Sequence, residues 1–366
     1  MAYAQFENIR MAALACAVPS YEQKIDLNPE RPDVGYAKNF VKNVGVKGRR
    51  ISLTGQTGMD FCFGAAEKAL AKTGWAAGSV DAVISLTYTP DYILPGNSHL
   101  LHYMLGMRNE AIAIDISLGC SSFPYGMRLA CSLMQSPDIN RAIIAFSNTF
   151  WPGYGSVENL KADNSFLFGE GGGVVLLEKH EGSPAIKTGL WSEGSGYRFL
   201  HHLPGARNPH GIKGKVMLPN GEEIFPGGRS TYMDGPAIMS FSTVTVVDSI
   251  KEFMARYETD IGLYDGLVLH QANLHIIKTM AKRLKVDMEK VPVSIDRYAN
   301  TDTVSIPLTI ADAYSGNEKD SLHLLASSFG IGLSWGVVDF CISPEAIIPV
   351  FTYDGIFEEG IFRCVD

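Results

Sequence analysis

Short apolar runs that read as strands alternate with amphipathic runs that read as helices, and the alternation occurs twice along the chain. This order constrains the fold more than any other feature. In the first set come "MAALACAV", the buried strand "DAVISLTYT" (81–89), a helix near "PGNSHLLHYML", the short buried strand "AIAIDIS", a helix from Phe123 through Met127 to Ala130, then the strands "RAIIAFSN" and "GGGVVLLEK". Past residue 180 a comparable order returns. "VTVVDSIKEFMARYE" carries Val246, Ile250, Phe253, Met254 and Tyr257 on one stripe. After it come "YDGLVLH", the helix "NLHIIKTMAKRLK", a strand at "VPVSI", the helix "SIPLTIADAYS" and two closing strands, "SLHLLASSF" and "GLSWGVVDFCI". Strands alternating with helices predict an α/β fold. Two successive βα sets predict two pseudo-duplicated halves, on element order alone, because no letter-for-letter repeat accompanies them. The expected division is 1–180, 181–343 and an extension at 344–366. Residues 197–235, rich in Gly, Pro, His and Asn, form a long excursion between the halves, either a lid or a peripheral insertion.

Charge and cysteine usage exclude whole classes of function. With a net charge of −8, the chain lacks the clustered cations a nucleic-acid surface needs. Its six cysteines (Cys16, Cys62, Cys120, Cys131, Cys341, Cys364) show no CxxC pair and no metal-ligand spacing, so neither a disulfide framework nor a metal site is expected. Scattered thiols fit a reducing compartment. The first apolar run follows Glu7 and Arg10 and is too short to span a bilayer, so no membrane association and a cytoplasmic location are expected.

Three polar residues stand where a strand-like run hands over to a helix-like one. Cys120 lies in "DISLGCSSFPYGMRLA" (115–130), at the start of a helix whose positive end favours a thiolate. The plain alternative is an inert, buried cysteine. His270 ends "LVLH" and is followed by "QAN", at the strand edge where α/β folds place their sites. Asn300 opens "NTDTVSIPL", and its amide donates a hydrogen bond without titrating. Taken singly, His270 could satisfy backbone carbonyls and Asn300 could cap a helix. Of the other histidines, His99 and His102 on one helix read as surface residues, and His201, His202 and His210 in the excursion read as loop residues. "FGEGGGVVLLE" lacks the Lys of a phosphate loop and reads as tight backbone packing. "SSFGIGLSWG" (327–336) could carry a backbone N–H toward a reacting carbonyl.

In this order, "DISLGCSSFPYGMRLA", "LFGEGGGVVLLE", "LVLHQANLHII", "NTDTVSIPL" and "SFGIGLSWG" resemble β-ketoacyl-acyl carrier protein synthase III and its thiolase-fold relatives, from about residue 10 to 343. The resemblance implies a five-layer αβαβα fold and a homodimer formed by sheet extension. It implies that Cys120 takes an acyl group from a thioester, while His270 and Asn300 bind the thioester carbonyl of a malonyl-type unit that loses CO2 to give an enolate. The backbone N–H groups of Cys120 and Ile331 would hold the other oxyanion. No bound cofactor is implied; the substrates are coenzyme A or acyl carrier protein thioesters.

Several positions depart from the family pattern. Ile331 stands where the family has Gly. Asn39 and Asn43 fall where family members clamp adenine with Trp and Arg, and Ala162 falls near the other Arg. The missing clamp points to a carrier-protein donor or to coenzyme A gripped elsewhere. Leu94 and Phe329 are candidate pocket residues; Leu94 falls where family dimers pass a hydrophobic side chain into the partner's acyl pocket, the alternative being a plain core leucine. The basic clusters "KGRR", with Arg49, and Lys278, Lys282, Arg283 and Lys285 could steer an acidic carrier, the alternative being a plain solvated helix face. Two other functions remain open: acyl transfer from Cys120 to a hydroxyl or amine with His270 as base, and a non-catalytic partner subunit.

Overall fold

The computed structural model describes residues 3–30, 34–149, 165–202, 216–217, 223–224 and 231–358. Eleven strands build two sheets: β1 Tyr3–Phe6, β2 Ile9–Val18, β3 Ala82–Leu86, β4 Ile112–Ile116, β5 Arg141–Asn148, β6 Gly171–Lys179, β7 Ile186–Ser192, β8 Gly266–Leu269, β9 Leu322–Gly330, β10 Ser334–Ile342 and β11 Phe351–Thr352. One sheet runs β11-β2-β6-β5-β3-β4 and the other β1-β7-β10-β9-β8. The main helices are α1 Val34–Val44, α2 Gly58–Thr73, α3 Asn97–Leu105, α4 Ser122–Leu133, α5 Val246–Arg256, α6 Leu274–Leu284 and α7 Ser305–Tyr314.

Strand alternation explains the layering. On β2, Leu14, Cys16 and Val18 face a central core that also takes Phe123 and Met127 of α4, Ile306 and Ile310 of α7, and Leu322, Leu324 and Ala326 of β9. The intervening Ala13, Ala15 and Ala17 face α2 on the other side. Leu325 and Phe329 of β9 likewise face α5 and α6. Period-two burial on both sheets therefore stacks helix, sheet, helix pair, sheet and helix pair: the five-layer αβαβα arrangement. Gly126 brings α4 against the first sheet, since a Cβ there would lie 3.0 Å from Ile144 and Leu86.

Sheet membership cuts across the sequence divisions. β1 joins the second sheet by pairing with β7, and β11, from the C-terminal extension, pairs parallel with β2. The extension then lies along α2: Gln56 donates to the carbonyls of Tyr353 and Gly355, and Phe357 N–H donates to Asp60.

Two local expectations fail. "VPVSI" is not a strand; residues 291–294 are irregular and lead into the helical turn Ile295–Tyr298. Pro292 has no N–H for a ladder, and the Gln271 side chain takes the neighbouring groups. Its amide donates to Leu269 and Pro292 carbonyls and accepts from Ser294 and Ile295 N–H. "AIAIDIS" is a strand but not a buried one: β4 is a sheet edge, with Ile112 exposed. Among the described residues, no helix is long and apolar enough to cross a membrane.

Candidate active site

Cys120 sits between β4 and α4, half-buried, in a turn closed by Ser122 N–H on the Gly119 carbonyl. Gly330, the last residue of β9, backs onto it. A Cβ at Gly330 would stand 2.7 Å from Cys120 Cβ and 3.2 Å from Sγ, so only glycine allows this approach. Next to Gly330, the Phe329 ring stands perpendicular to the His270 imidazole, their centroids 5.5 Å apart.

His270 follows β8 and is 1% exposed, its N–H donating to the Ser327 carbonyl. Its Nδ1 lies 3.0 Å from Ser305 Oγ, which also accepts from Gln271 N–H at 2.8 Å. Among the described residues Nδ1 is the one acceptor within reach of the Ser305 hydroxyl proton, so that proton turns to Nδ1 and the ring proton resides on Nε2. Burial lowers the imidazole pKa from 6.5 to about 3, so the ring is neutral at pH 7. His270 is thereby a fixed, uncharged Nε2–H donor.

Asn300 is pinned by its backbone: its N–H donates to Leu167 O and its carbonyl accepts from Gly169 N–H. The close fit requires glycine at 169, where a Cβ would collide with the Tyr298 carbonyl. Ala299, at φ 57° and ψ −161°, occupies backbone territory that glycine normally holds, a local strain of about 1–3 kcal/mol. The Asn300 side-chain oxygen accepts from Asp302 N–H at 2.9 Å, which leaves its NH2 as the outward group. Asn300, like His270, is set as a donor.

Asp302 was not singled out from the sequence. It is 3% exposed, at φ 50°, and its carboxyl makes side-chain hydrogen bonds with the Cys120 thiol and the Tyr88 hydroxyl. Burial raises this carboxyl from 3.8 to about 7, with the two donors pulling the other way. This corrects the expected thiolate. Burial pushes the Cys120 thiol well above its ordinary value, and the Asp302 charge pushes it further, outweighing the pull of the Cys120 backbone N–H. The resting thiol is protonated.

The β9–β10 loop is tied to the Cys120 turn by two hydroxyls. Ser334 Oγ donates to the Ile331 carbonyl at 2.7 Å, and Ser121 Oγ lies 2.6 Å from Ser334 Oγ. The other candidates separate. Leu94 is 85% exposed and Phe329 is buried in the outer core of the second sheet. Lys278, Lys282 and Arg283 are exposed on α6, with the Arg283 guanidinium engaging the Thr243 carbonyl. Arg49 is not a surface residue, which removes it from the docking set. It is 2% exposed, bonds Gln23 and the Phe168 carbonyl, and lies over the Phe166 ring. Asn39 and Asn43 are exposed on α1. Ala162, the His210 position, Cys364 and the side chains of His201 and His202 lie outside the described residues.

Residues 114–194 match the family model for 3-oxoacyl-[acyl-carrier-protein] synthase III, and residues 255–340 match that of its C-terminal part. A β-ketoacyl-[acyl-carrier-protein] synthase III of Xanthomonas campestris is 31% identical over 293 residues, 80% of this chain and 86% of that protein. A crystal structure of a 3-oxoacyl-(acyl-carrier protein) synthase from Burkholderia xenovorans superposes with a TM-score of 0.85 at 30% identity, covering 96% of this chain and 99% of that one. The priming β-ketosynthase of the R1128 polyketide pathway shares the fold, at 21% identity and a TM-score of 0.75 over 94% of this chain and 97% of that one.

Proposed function

The chain belongs to the 3-oxoacyl-[acyl-carrier-protein] synthase III family, a family of acyltransferases, and on that footing we propose that Cys120, His270 and Asn300 perform its condensation. Cys120 Sγ attacks an acyl thioester, the donor's carbon–sulfur bond breaks so that its thiol leaves, and the acyl group stays on Sγ. The backbone N–H groups of Cys120 and Ile331 receive the oxyanion formed in that step. A malonyl-type thioester then places its carbonyl between His270 Nε2–H and Asn300 NH2. Loss of CO2 moves an electron pair into an enolate held by those donors. The enolate carbon attacks the acyl-Cys carbonyl, releasing a β-ketoacyl thioester and the cysteine sulfur. Donors aimed at charge that develops only during reaction lower the barrier rather than merely bind substrate. The electrons of the new C–C bond come from decarboxylation, so the chemistry calls on no metal or bound cofactor.

The observation that carries this reading is the hydrogen-bond polarity of the two side chains. Ser305 on Nδ1 and Asp302 N–H on Asn300 Oδ1 turn both donors toward the site. That polarity disfavours transfer to a hydroxyl or amine, because a ring protonated at Nε2 and of depressed basicity cannot take the acceptor's proton there.

Coenzyme A and acyl carrier protein thioesters are the donors we assign, in the cytoplasm where such thioesters occur. The exposed α6 cations Lys278, Lys282 and Arg283 suit an acidic carrier. A homodimer would cover the free edge of β4 and the adjoining Ile93 and Leu94, which project from the surface of the single chain.

The test is intact-mass analysis with a panel of acyl-coenzyme A and acyl-carrier donors, with and without malonyl acceptors. One acyl mass on Cys120, none on Cys120→Ala, and CO2 release only with the malonyl acceptor are expected. Asn300→Ala should still acylate while decarboxylation falls by about 10²–10³-fold. Label retained in Cys120→Ala, or product formed from a hydroxyl or amine without CO2, would overturn the assignment.

A further inference from the structure

A thiol that is protonated at rest needs somewhere to send its proton before it can attack. The Asp302 carboxyl is the group against it. Asp302 lies in the turn 302–304 that begins α7, and this turn packs on α4, β5 and β6. Its Oδ1 would stand 3.2 Å from a Cβ built on Gly119, so the carboxyl lies beside the residue just before the nucleophile. That same oxygen is sealed from water and has no well-formed hydrogen-bond donor among the described residues, which leaves acceptor capacity open. Cys120 and Tyr88 are the titratable groups that face it. Tyr88 is held protonated, first by burial and then by the Asp302 charge, so it supplies a hydrogen bond and no base. His270 is excluded as the acceptor by its Nε2 proton.

We propose that Asp302 is the base for acylation: it takes the Cys120 proton as Sγ attacks, holds it through the acyl-enzyme stage, and returns it to the sulfur that condensation frees. This rests on the acyl-enzyme reading above and adds a residue to it. In the first half-reaction the S–H bond breaks, Sγ bonds the acyl carbon, and the donor's carbon–sulfur bond breaks. The proton lies on the Asp302 carboxyl, and the donor's thiolate leaves and is protonated from water. In the second half-reaction the enolate carbon bonds the acyl carbon, the Cys120 thiolate departs, and Asp302 gives it the stored proton. Asp302 is then a carboxylate again and the cycle closes.

The stored proton also sets the charge of the site at the right moments. Asp302 is ionised when a base is needed and neutral while the enolate, itself an anion, forms beside it. Burial, which raises the carboxyl to about 7, lets one residue do both near neutral pH. Acylation removes the thiol that donates to Asp302, and so strengthens the hold on the proton.

Two measurements test the proposal. In wild-type protein, a pH indicator should record uptake from bulk of up to one proton per Cys120 acylated at slightly alkaline pH, because the leaving thiolate takes a bulk proton while the thiol proton stays on Asp302. Asp302→Asn, whose amide tolerates the same backbone conformation, should abolish that uptake and lower kcat/KM for acylation by about 10²–10⁴-fold. It should also erase the acid limb near pH 7 of the acylation profile, while iodoacetamide alkylation of Cys120 shifts to lower pH. Wild-type acylation without proton uptake would overturn the proposal even if the variant fails to fold. So would a folded Asp302→Asn that acylates at the wild-type rate with an unchanged profile. Either result with the acyl mass still on Cys120 leaves the acyl-enzyme reading standing; no acyl mass in wild-type protein removes both.

Discussion

Two buried groups at this site carry opposite pH signatures, and their near-cancellation is testable through stability alone. His270 is lowered to about 3 from its ordinary 6.5. The stability it allows is complete above pH 6.5 and is lost as pH falls toward 3, because the unfolded imidazole binds a proton that the folded one refuses. Asp302 is raised to about 7 from 3.8. Its ionisation destabilises the fold as pH rises from 3.8 to 7, so stability returns on acidification. Between pH 7 and pH 5, linkage makes the His270 loss about 2 kcal/mol and the Asp302 gain about 2 kcal/mol. Wild-type protein should therefore show little net change from this pair. Asp302→Asn removes the gain and should lose about 2 kcal/mol more than wild type over that interval; His270→Gln removes the loss and should gain about 2 kcal/mol relative to it. In a chain of this size that is a few degrees in Tm. Thermal or urea unfolding of the three proteins at both pH values measures it, and all other titrating groups cancel in the differences. If the three proteins moved in parallel, to within about 0.5 kcal/mol, the buried-titration reasoning for both residues would be wrong.

Ser305→Ala should cost about 1–3 kcal/mol of stability, since Gln271 N–H and His270 Nδ1 both lose their partner. Condensation should fall about tenfold or more while acylation changes little, and equal losses in both steps would refute the imidazole polarity. Lys278→Glu with Lys282→Glu should raise KM for carrier-borne substrates about tenfold at low salt, the effect shrinking as salt is added. Unchanged steady-state kinetics with acyl carrier donors at low ionic strength would remove α6 as the docking face.

Much of the fold was legible because two periodicities dominate it. "MAALACAV" and "SLHLLASSF" become β2 and β9, whose alternate residues fill different layers, and the stripe through Val246, Ile250 and Phe253 becomes the buried face of α5. The failures have a common cause in long-range partners. "VPVSI" has β-like composition, but Gln271, twenty residues earlier, takes its backbone groups. "AIAIDIS" is apolar enough for a core strand and lies at an open edge. At the site, Cys120, His270 and Asn300 were visible as polar residues at joints. Arg49 was misread because "KGRR" resembles a surface cluster, whereas burial lowers its guanidinium to about 10 and Gln23 and Phe166 enclose it. Asp302 was missed because an acidic residue ahead of a helix is an ordinary cap. Nothing within "NTDTVSIPL" indicates that the turn folds back onto a thiol from the other half.

That fold-back follows from the architecture. The central layer holds α4 from the first half and α7 from the second, and both begin at the site, one after Cys120 and the other after Asp302. Two helix N-termini make a region that favours anions, which suits an enolate and would equally favour a permanent carboxylate. Those two charges could not coexist without cost: at about 4 Å, with an effective dielectric near 20, their repulsion is about 4 kcal/mol. One well-placed oxyanion donor contributes about 3–4 kcal/mol, so an ionised Asp302 would cancel the work proposed for His270 or Asn300. A carboxyl beside the proposed nucleophile is therefore compatible with condensation only if it is neutral in the second half-reaction. Its depth in the central layer, away from water, is the physical means of keeping it so.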